Sequence, residues 1–331
     1  MDLDAYVGAR SHEWARLHEL SRRRTLTGAE ADEFLDLYQR TSTHLSVVRS
    51  ASPDPSVVTY LSGLLARARL TTVTSSTSVP ELLLRFVTRT FPAALYRLRW
   101  WWIGMAIGTL VVAFGAGLWT INHPEVYTSI LSPEQINTYV NSDFANYYSE
   151  YAHHEFATQV WVNNAWVSAQ AIAFGVMGLP TLWVMYDNAI NLGAAGGLMI
   201  SHGRADLFFG MILPHGLLEL TAVFVAGGTG LKLFMSWINP GARTRLQSFA
   251  REGRTAVAVA LGLVGVLLVS GFIEGFVTPS PLPTWARIAI GVVVESLFLA
   301  YVFVVGRRAV AHGATGDVDI TDQEAAAPVS M

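Results

Sequence analysis

The sequence predicts an all-α protein: a polytopic membrane helix bundle preceded by an N-terminal cytoplasmic helical domain. Three observations carry that prediction. Only 14% of the 331 residues are charged and 52% are hydrophobic, whereas a soluble domain carries nearer a quarter charged residues. The charge is also segregated: residues 1–99 hold thirteen arginines and ten acids, and long apolar runs take over from Trp100 to Arg308. Those runs, at 100–121, 165–186, 207–236, 256–276 and 286–306, have the length of the roughly twenty apolar residues that cross a hydrocarbon core.

Composition excludes several function classes. The chain has no cysteine, which removes disulfides, thiolate metal sites and cysteine nucleophiles together. A net charge of −3 and the lack of a basic stripe with interleaved aromatics give no footprint for nucleic acid. The first thirty residues are polar and charged, so no signal peptide is expected and insertion should begin with the first span.

Residues 1–97 read as the helical domain. Leu3, Tyr6, Trp14, Leu17 and Leu20 recur at three- and four-residue spacing, as one buried helix face requires. Thr27–Glu30 forms a capping-box pattern ahead of Phe34, Leu35, Leu37 and Tyr38. Pro53 and Pro55 separate this helix from a third one carrying Tyr60, Leu61, Leu64 and Leu65. Ser78–Glu81 gives a second capping box, opening a stretch in which Arg85, Arg89, Arg97 and Arg99 alternate with Leu, Phe and Tyr. Two readings fit it: an interfacial helix with its arginines near lipid phosphates, or a fourth helix of the soluble bundle.

The charge pattern orients the spans. Arg97 and Arg99 precede the first span and Trp100, Trp101 and Trp102 mark its interface, so its N-terminal end is expected to be cytoplasmic. Residues 122–159 contain five acids and no Lys or Arg, which identifies the outer loop. Arg243, Arg245, Arg251 and Arg254, and later Arg307 and Arg308, mark inner segments. Passing from an outer loop at 159 to an inner loop at 243 takes an odd number of crossings, yet only two strong runs lie between. The Gly- and Ala-rich stretch 188–203 then supplies a short third crossing, or it re-enters while the 207–236 run breaks into two arms. About five or six membrane segments, both termini cytoplasmic and a location in the cytoplasmic membrane follow. The expected domains are 1–97, a bundle over 98–310, and a disordered acidic tail over 311–331. Gly104 and Gly108, like Gly271 and Gly275, have the four-residue spacing that lets membrane helices approach closely.

Ionisable groups inside a membrane cost at least ~2.5 kcal/mol each, so they mark the candidate site. His215 and Glu219 lie four residues apart, hence on one helical face, and are expected to turn from lipid toward Glu274. Asn164 and Asn188 bracket the second run and join this polar cluster as candidates, with Asn163 able to cap a helix. Glu295 reads as one inward-turned carboxyl. Pro214 lacks an N–H and frees the Gly210 carbonyl, so with Gly216 it predicts a helix break beside His215. Three roles fit such a cluster: fastening helices, conducting ions or protons, or catalysis with a metal. There is no H-E-x-x-H, G-x-S-x-G or phosphate-loop pattern. His153 and His154, near Glu150 and Glu155, read as a solvated acidic loop more readily than as a surface metal site. Neither a catalytic residue, a metal nor a cofactor is assigned.

The stretch LPHGLLELTAVFVAGGTGLKL resembles the stage II sporulation protein M family, through His215, Gly216 and Glu219 followed by Ala226, Gly227, Gly228 and Gly230. Asn163–Asn164, Gly175 and Gly178, Asn188 with Leu192–Gly193, Pro240–Gly241, Glu274 before Thr278–Pro279, and Tyr301 with Gly306–Arg307 extend the resemblance over residues 100–308. Ala189 departs from it, where an Asn-Gly pair is more usual. The resemblance implies a non-enzymatic multi-pass component of a cell-envelope complex, since founding members act with partner proteins in envelope remodelling. The implied partners are the lipid bilayer and other envelope or membrane proteins, with a homo-oligomer among the candidate assemblies and no nucleic acid. A transporter or channel using the His/Glu cluster is the alternative, and an intramembrane metal-dependent hydrolase stands behind it.

Overall fold

The fold is built from helices, with no strand among the residues described by the computed structural model, which are 2–23, 26–51, 54–73, 79–143 and 153–318. The chain divides into two compact units, Met1–Leu82 and Leu83–Met331.

The first unit contains α1 (Leu3–Ser21), α2 (Gly28–Ala51) and α3 (Pro55–Val73). The apolar stripe read from the sequence is its core: Trp14, Leu17 and Leu20 of α1 meet Phe34, Leu37 and Val48 of α2 and Leu61 and Leu64 of α3. The Thr27 capping box forms, with Glu30 Oε2 accepting from Thr27 N at 2.9 Å and Thr27 Oγ1 accepting from Glu30 N at 3.4 Å. Two of its helix-opening donors are thereby satisfied. The box at Ser78 lies outside the described residues. Trp14 Nε1 donates to His44 Nδ1 across the core at 3.2 Å.

The boundary between the units falls within α4 (Val79–Arg85), and the second unit continues with a π turn over Phe86–Thr90 and α5 (Phe91–Arg97). Here the structure departs from the sequence reading, which grouped everything to residue 97 with the N-terminal domain. Phe91, Ala94, Leu95 and Leu98 are buried in the second unit's core beside Trp102, Val259 and Leu263. The cause is a pair of glycine contacts: Gly262 leaves room for the Phe91 ring, and Gly306 for the Pro92 carbonyl.

The bundle itself follows as α6 (Arg99–Asn122), the outer-loop helices α7 (Pro124–Ile130) and α8 (Pro133–Thr138), then α9 (His153–Ala173), α10 (Leu179–Ser201), α11 (Ala205–Ile238), α12 (Arg245–Phe272), α13 (Thr284–Ala300) and α14 (Arg307–Ala311). Among the described residues, four helices are long and apolar enough to cross a membrane: Arg99–Asn122, Ala205–Ile238, Arg245–Val277 and Thr284–Ala311. The first and last of these expose apolar side chains along much of their length, among them Ile107, Val111, Phe114, Val292, Val293 and Leu297. An outward belt of this kind suits a hydrocarbon solvent. The central helix is α11, which packs against α6, α9, α10, α12 and α13. Its segment Ala222–Gly230 is buried throughout.

The crossing between 159 and 243 is solved differently from either expectation. The 165–186 run is not one span. It is cut at Phe174–Val176, and the chain reverses at Gly178, whose φ of +80° suits a residue without Cβ. Pro180 then opens α10 at its first turn. The stretch 188–203 is accordingly not a short helix of its own; most of it is the second half of the 23-residue α10. Gly178 sits under the Phe234 ring near the end of α11, while Gly197 meets Gly117 near the end of α6. The α9–α10 turn therefore lies at the end of the bundle where α6 begins and α11 ends.

Two smaller expectations are also corrected. A Cβ at Gly104 or Gly108 would meet nothing within 4 Å. These glycines line an apolar groove of about 470 Å³ with Trp101, Met105, Met185 and Leu231 instead of a helix crossing. The tail is ordered at its start: Gly316 lies against the Ala94 backbone, Arg97 donates to the Thr315 carbonyl, and Asp317 is 3.6 Å from Arg254. Residues 319–331 of that tail lie outside the described residues, as do Glu150 and the side chains of His153, His154 and Glu155.

Candidate functional site

The site forms where α11 meets the end of α12. His215 and Glu219 stand one turn apart on α11, as their spacing requires. Glu274 comes from the π turn Ile273–Val277 that continues α12. One ligand-type atom from each of the three residues lies within 4.8 Å of the others. His215 is 5% exposed and Glu274 2%. His215 Nε2 is 3.6 Å from Glu274 Oε1.

A surrounding set of polar groups fixes these side chains. Ser270 Oγ, one turn before Glu274, donates to the His215 carbonyl at 3.0 Å and lies 3.5 Å from Glu219 Oε2. The Asn164 side chain hydrogen-bonds the Glu219 carboxylate from α9. Thr278 Oγ1 donates to the Ile273 carbonyl at 3.4 Å and so accepts from His215 Nδ1, 3.2 Å away. That ordering assigns the imidazole proton to Nδ1, the tautomer in which the Nε2 lone pair faces Glu274. The Thr278 carbonyl is held in turn by Arg287, which also donates to Thr284 Oγ1 at 3.1 Å. Glu274 Oε2 is buried with no hydrogen-bond partner among the described residues.

The structure thus gathers His215, Glu219, Glu274 and Asn164. Asn188 stays out: its Nδ2 donates to the Val184 carbonyl of its own helix at 2.8 Å. Its helix, α10, makes its closest backbone approaches to α6 through Gly193 and Gly197, not to the polar cluster. Asn163 is exposed. Glu295 is a separate carboxyl that accepts from Thr221 at 2.9 Å.

The helix break expected at Pro214 and Gly216 does not occur. Helix α11 runs through both residues from Ala205 to Ile238. Neighbouring helices support the backbone there, with Gly291 of α13 against the Leu213 and Pro214 carbonyls and Ser270 on the His215 carbonyl. Proline is tolerated in a membrane helix where packed neighbours supply such support. Ser270, Thr278 and the π turn escaped the sequence reading. The signal for the first was its spacing, since Ser270 precedes Glu274 by one turn; nothing in the sequence marks the π turn.

The sequence assigned no metal; the structure brings an imidazole nitrogen and two carboxyl groups within 4.8 Å of one another. Their donor chemistry, one nitrogen and two oxygens, suits a divalent ion of intermediate hardness.

Fold and site together define a class: a polytopic α-helical membrane protein whose bundle encloses a polar centre. Stage II sporulation protein M matches residues 105–279, just over half of the 331 residues, and the chain belongs to that family. Residues 4–73 match a domain of unknown function, DUF8413. No curated protein and no solved structure matches the chain.

Proposed function

We propose that this chain is a non-enzymatic multi-pass component of a cell-envelope membrane complex, with both termini cytoplasmic. Its helical first unit and its outer loop engage other envelope proteins, and the bundle is a rigid membrane frame. The observation that carries this reading is how α11 is packed: backbone meets backbone at Gly228 with Trp102 and at Gly230 with Ala171. Contacts this close suit a fixed support, not helices that slide past one another. Membership of a family implied to work with partner proteins supports the same conclusion. The test is native purification of the tagged full chain in a mild detergent. Recovery in a stable assembly with other envelope proteins supports the proposal. Recovery as the bare chain, after both detergent and in-cell crosslinking, contradicts it.

One observation favours a second reading, proton- or cation-coupled transport: Glu274 is an enclosed intramembrane carboxyl with an oxygen that has no partner among the described residues. Purified chain in liposomes separates the two. A transporter gives ion flux that Glu219→Gln abolishes, and a scaffold gives none above empty vesicles.

A further inference from the structure

We propose that His215, Glu219 and Glu274 form a divalent-metal site that fastens α11 to the π turn after α12. The inference does not depend on the scaffolding reading.

Charge gives the first argument. Once deprotonated, the two carboxyls beside a neutral imidazole sum to −2 in an interior where uncompensated charge is very costly. One divalent cation cancels that charge, and bound cations are often the largest local charge in such a site. Direction gives the second. With Thr278 Oγ1 donating to Ile273, the His215 proton is assigned to Nδ1, and the Nε2 lone pair then faces Glu274 Oε1, 3.6 Å away. In that tautomer two acceptors face each other, which is repulsive unless a cation or proton lies between them. Glu274 Oε2 supplies an independent observation: it is enclosed, belongs to a residue 2% exposed, and has no hydrogen-bond partner among the described residues.

Size is compatible. Donors bound to one tetrahedral zinc at about 2.1 Å lie about 3.4 Å apart. The present separations, none above 4.8 Å, close to that range with side-chain movements on the order of 1 Å. The surrounding shell resembles that of metal centres: the second imidazole nitrogen is engaged by Thr278, and Glu219 is held by Asn164 and Ser270. The π turn also finds its reason. One extra residue in the turn carries both Glu274 and Thr278 to the His215 ring, and such bulges recur at functional sites.

The experiment uses the full chain in detergent, stripped with a chelator, then titrated with Zn²⁺ and, separately, Co²⁺. One metal per chain should be retained through dialysis, with Co²⁺ giving visible absorption. At a hundredfold excess over Kd the unfolding midpoint should rise by roughly 5–10 °C. His215→Gln and Glu274→Gln should each abolish binding in monodisperse, helical protein, while Glu295→Gln retains it. Overturning results are a wild-type chain that holds neither metal and shows no midpoint shift, or a Glu274→Gln chain that binds like wild type. The wild-type titration alone decides the matter if the variants do not fold.

Discussion

Gly230 of α11 lies so close to Ala171 of α9 that a Cβ on Gly230 would sit 2.2 Å from the Ala171 carbonyl oxygen. Thr181 Oγ1 donates to that same oxygen at 2.9 Å, so α9, α10 and α11 meet at one backbone atom. Gly230→Ala must push α9 and α11 apart or break the Thr181 bond. The expected cost is about 1–3 kcal/mol, the usual range for overpacking. Thermal unfolding in detergent should show a lower midpoint, with Gly104→Ala as the silent control because its Cβ would meet open space.

The native chain has no cysteine, so single introduced cysteines report topology cleanly. Glu134 and Arg245 are exposed and Met177 is 58% exposed at the α9–α10 reversal. With a membrane-impermeant maleimide applied to intact cells, Glu134→Cys should label, and Met177→Cys and Arg245→Cys should label only after permeabilisation. Labelling of Arg245→Cys from outside would sink the orientation. Labelling of Met177→Cys from outside would sink the two-arm path of 153–201.

In the first unit, His44 is buried and accepts from Trp14, and burial holds its pKa below the usual histidine range. The folded form is therefore neutral while the unfolded chain protonates near about 6.5. The resulting stability is fully present above that value and is lost as pH falls through it toward the depressed folded value. Glu19, Glu30 and Glu33 are held below the ordinary carboxylate range, Glu19 and Glu33 by hydrogen bonds to Arg16 and Glu30 by those to Thr27. Their contribution is present above roughly 4.3 and disappears only at more acid pH. Residues 1–82 carry Trp14 as their one tryptophan, so its fluorescence can follow their urea denaturation. The midpoint should be lower at pH 5.5 than at 7.5, and His44→Gln should flatten that difference.

The start of the C-terminal tail acts as a clasp. Gly316 has φ +74° and its Cβ position is 2.7 Å from Ala94 backbone atoms, so Gly316→Val is both strained and obstructed. Displacing the tail would take the Thr315 carbonyl from Arg97, a guanidinium also 3.8 Å from Glu252. Stranding a partly buried charged donor costs about 1–3 kcal/mol. Gly316→Val should accordingly lower the unfolding midpoint and speed proteolysis after Arg308, while Thr315→Ala, which keeps the carbonyl and loses only the hydroxyl's 2.9 Å bond to Asp317, should have a smaller effect on both.

Much was determined by the sequence by itself. Charge segregation and run length set out the membrane bundle, because a charge in hydrocarbon is too costly to leave unmarked. The four-residue spacing of His215 and Glu219 put them on one face, and cost alone argued that they should find Glu274. The α1–α3 core was legible from helical periodicity, a local property. Contacts between distant segments were not legible. Gly178 looked like one more small residue in an apolar run, and only the Phe234 ring above it shows why the chain turns there. Pro214 read locally as a break, yet α13 and Ser270 support the helix through it. Asn188 and Asn164 looked equivalent in composition, but α10 turns toward α6 and α9 toward Glu219. The π turn was invisible for the same reason: hydrogen-bond register is chosen by packing, and the packing that places Glu274 against His215 exists only in three dimensions.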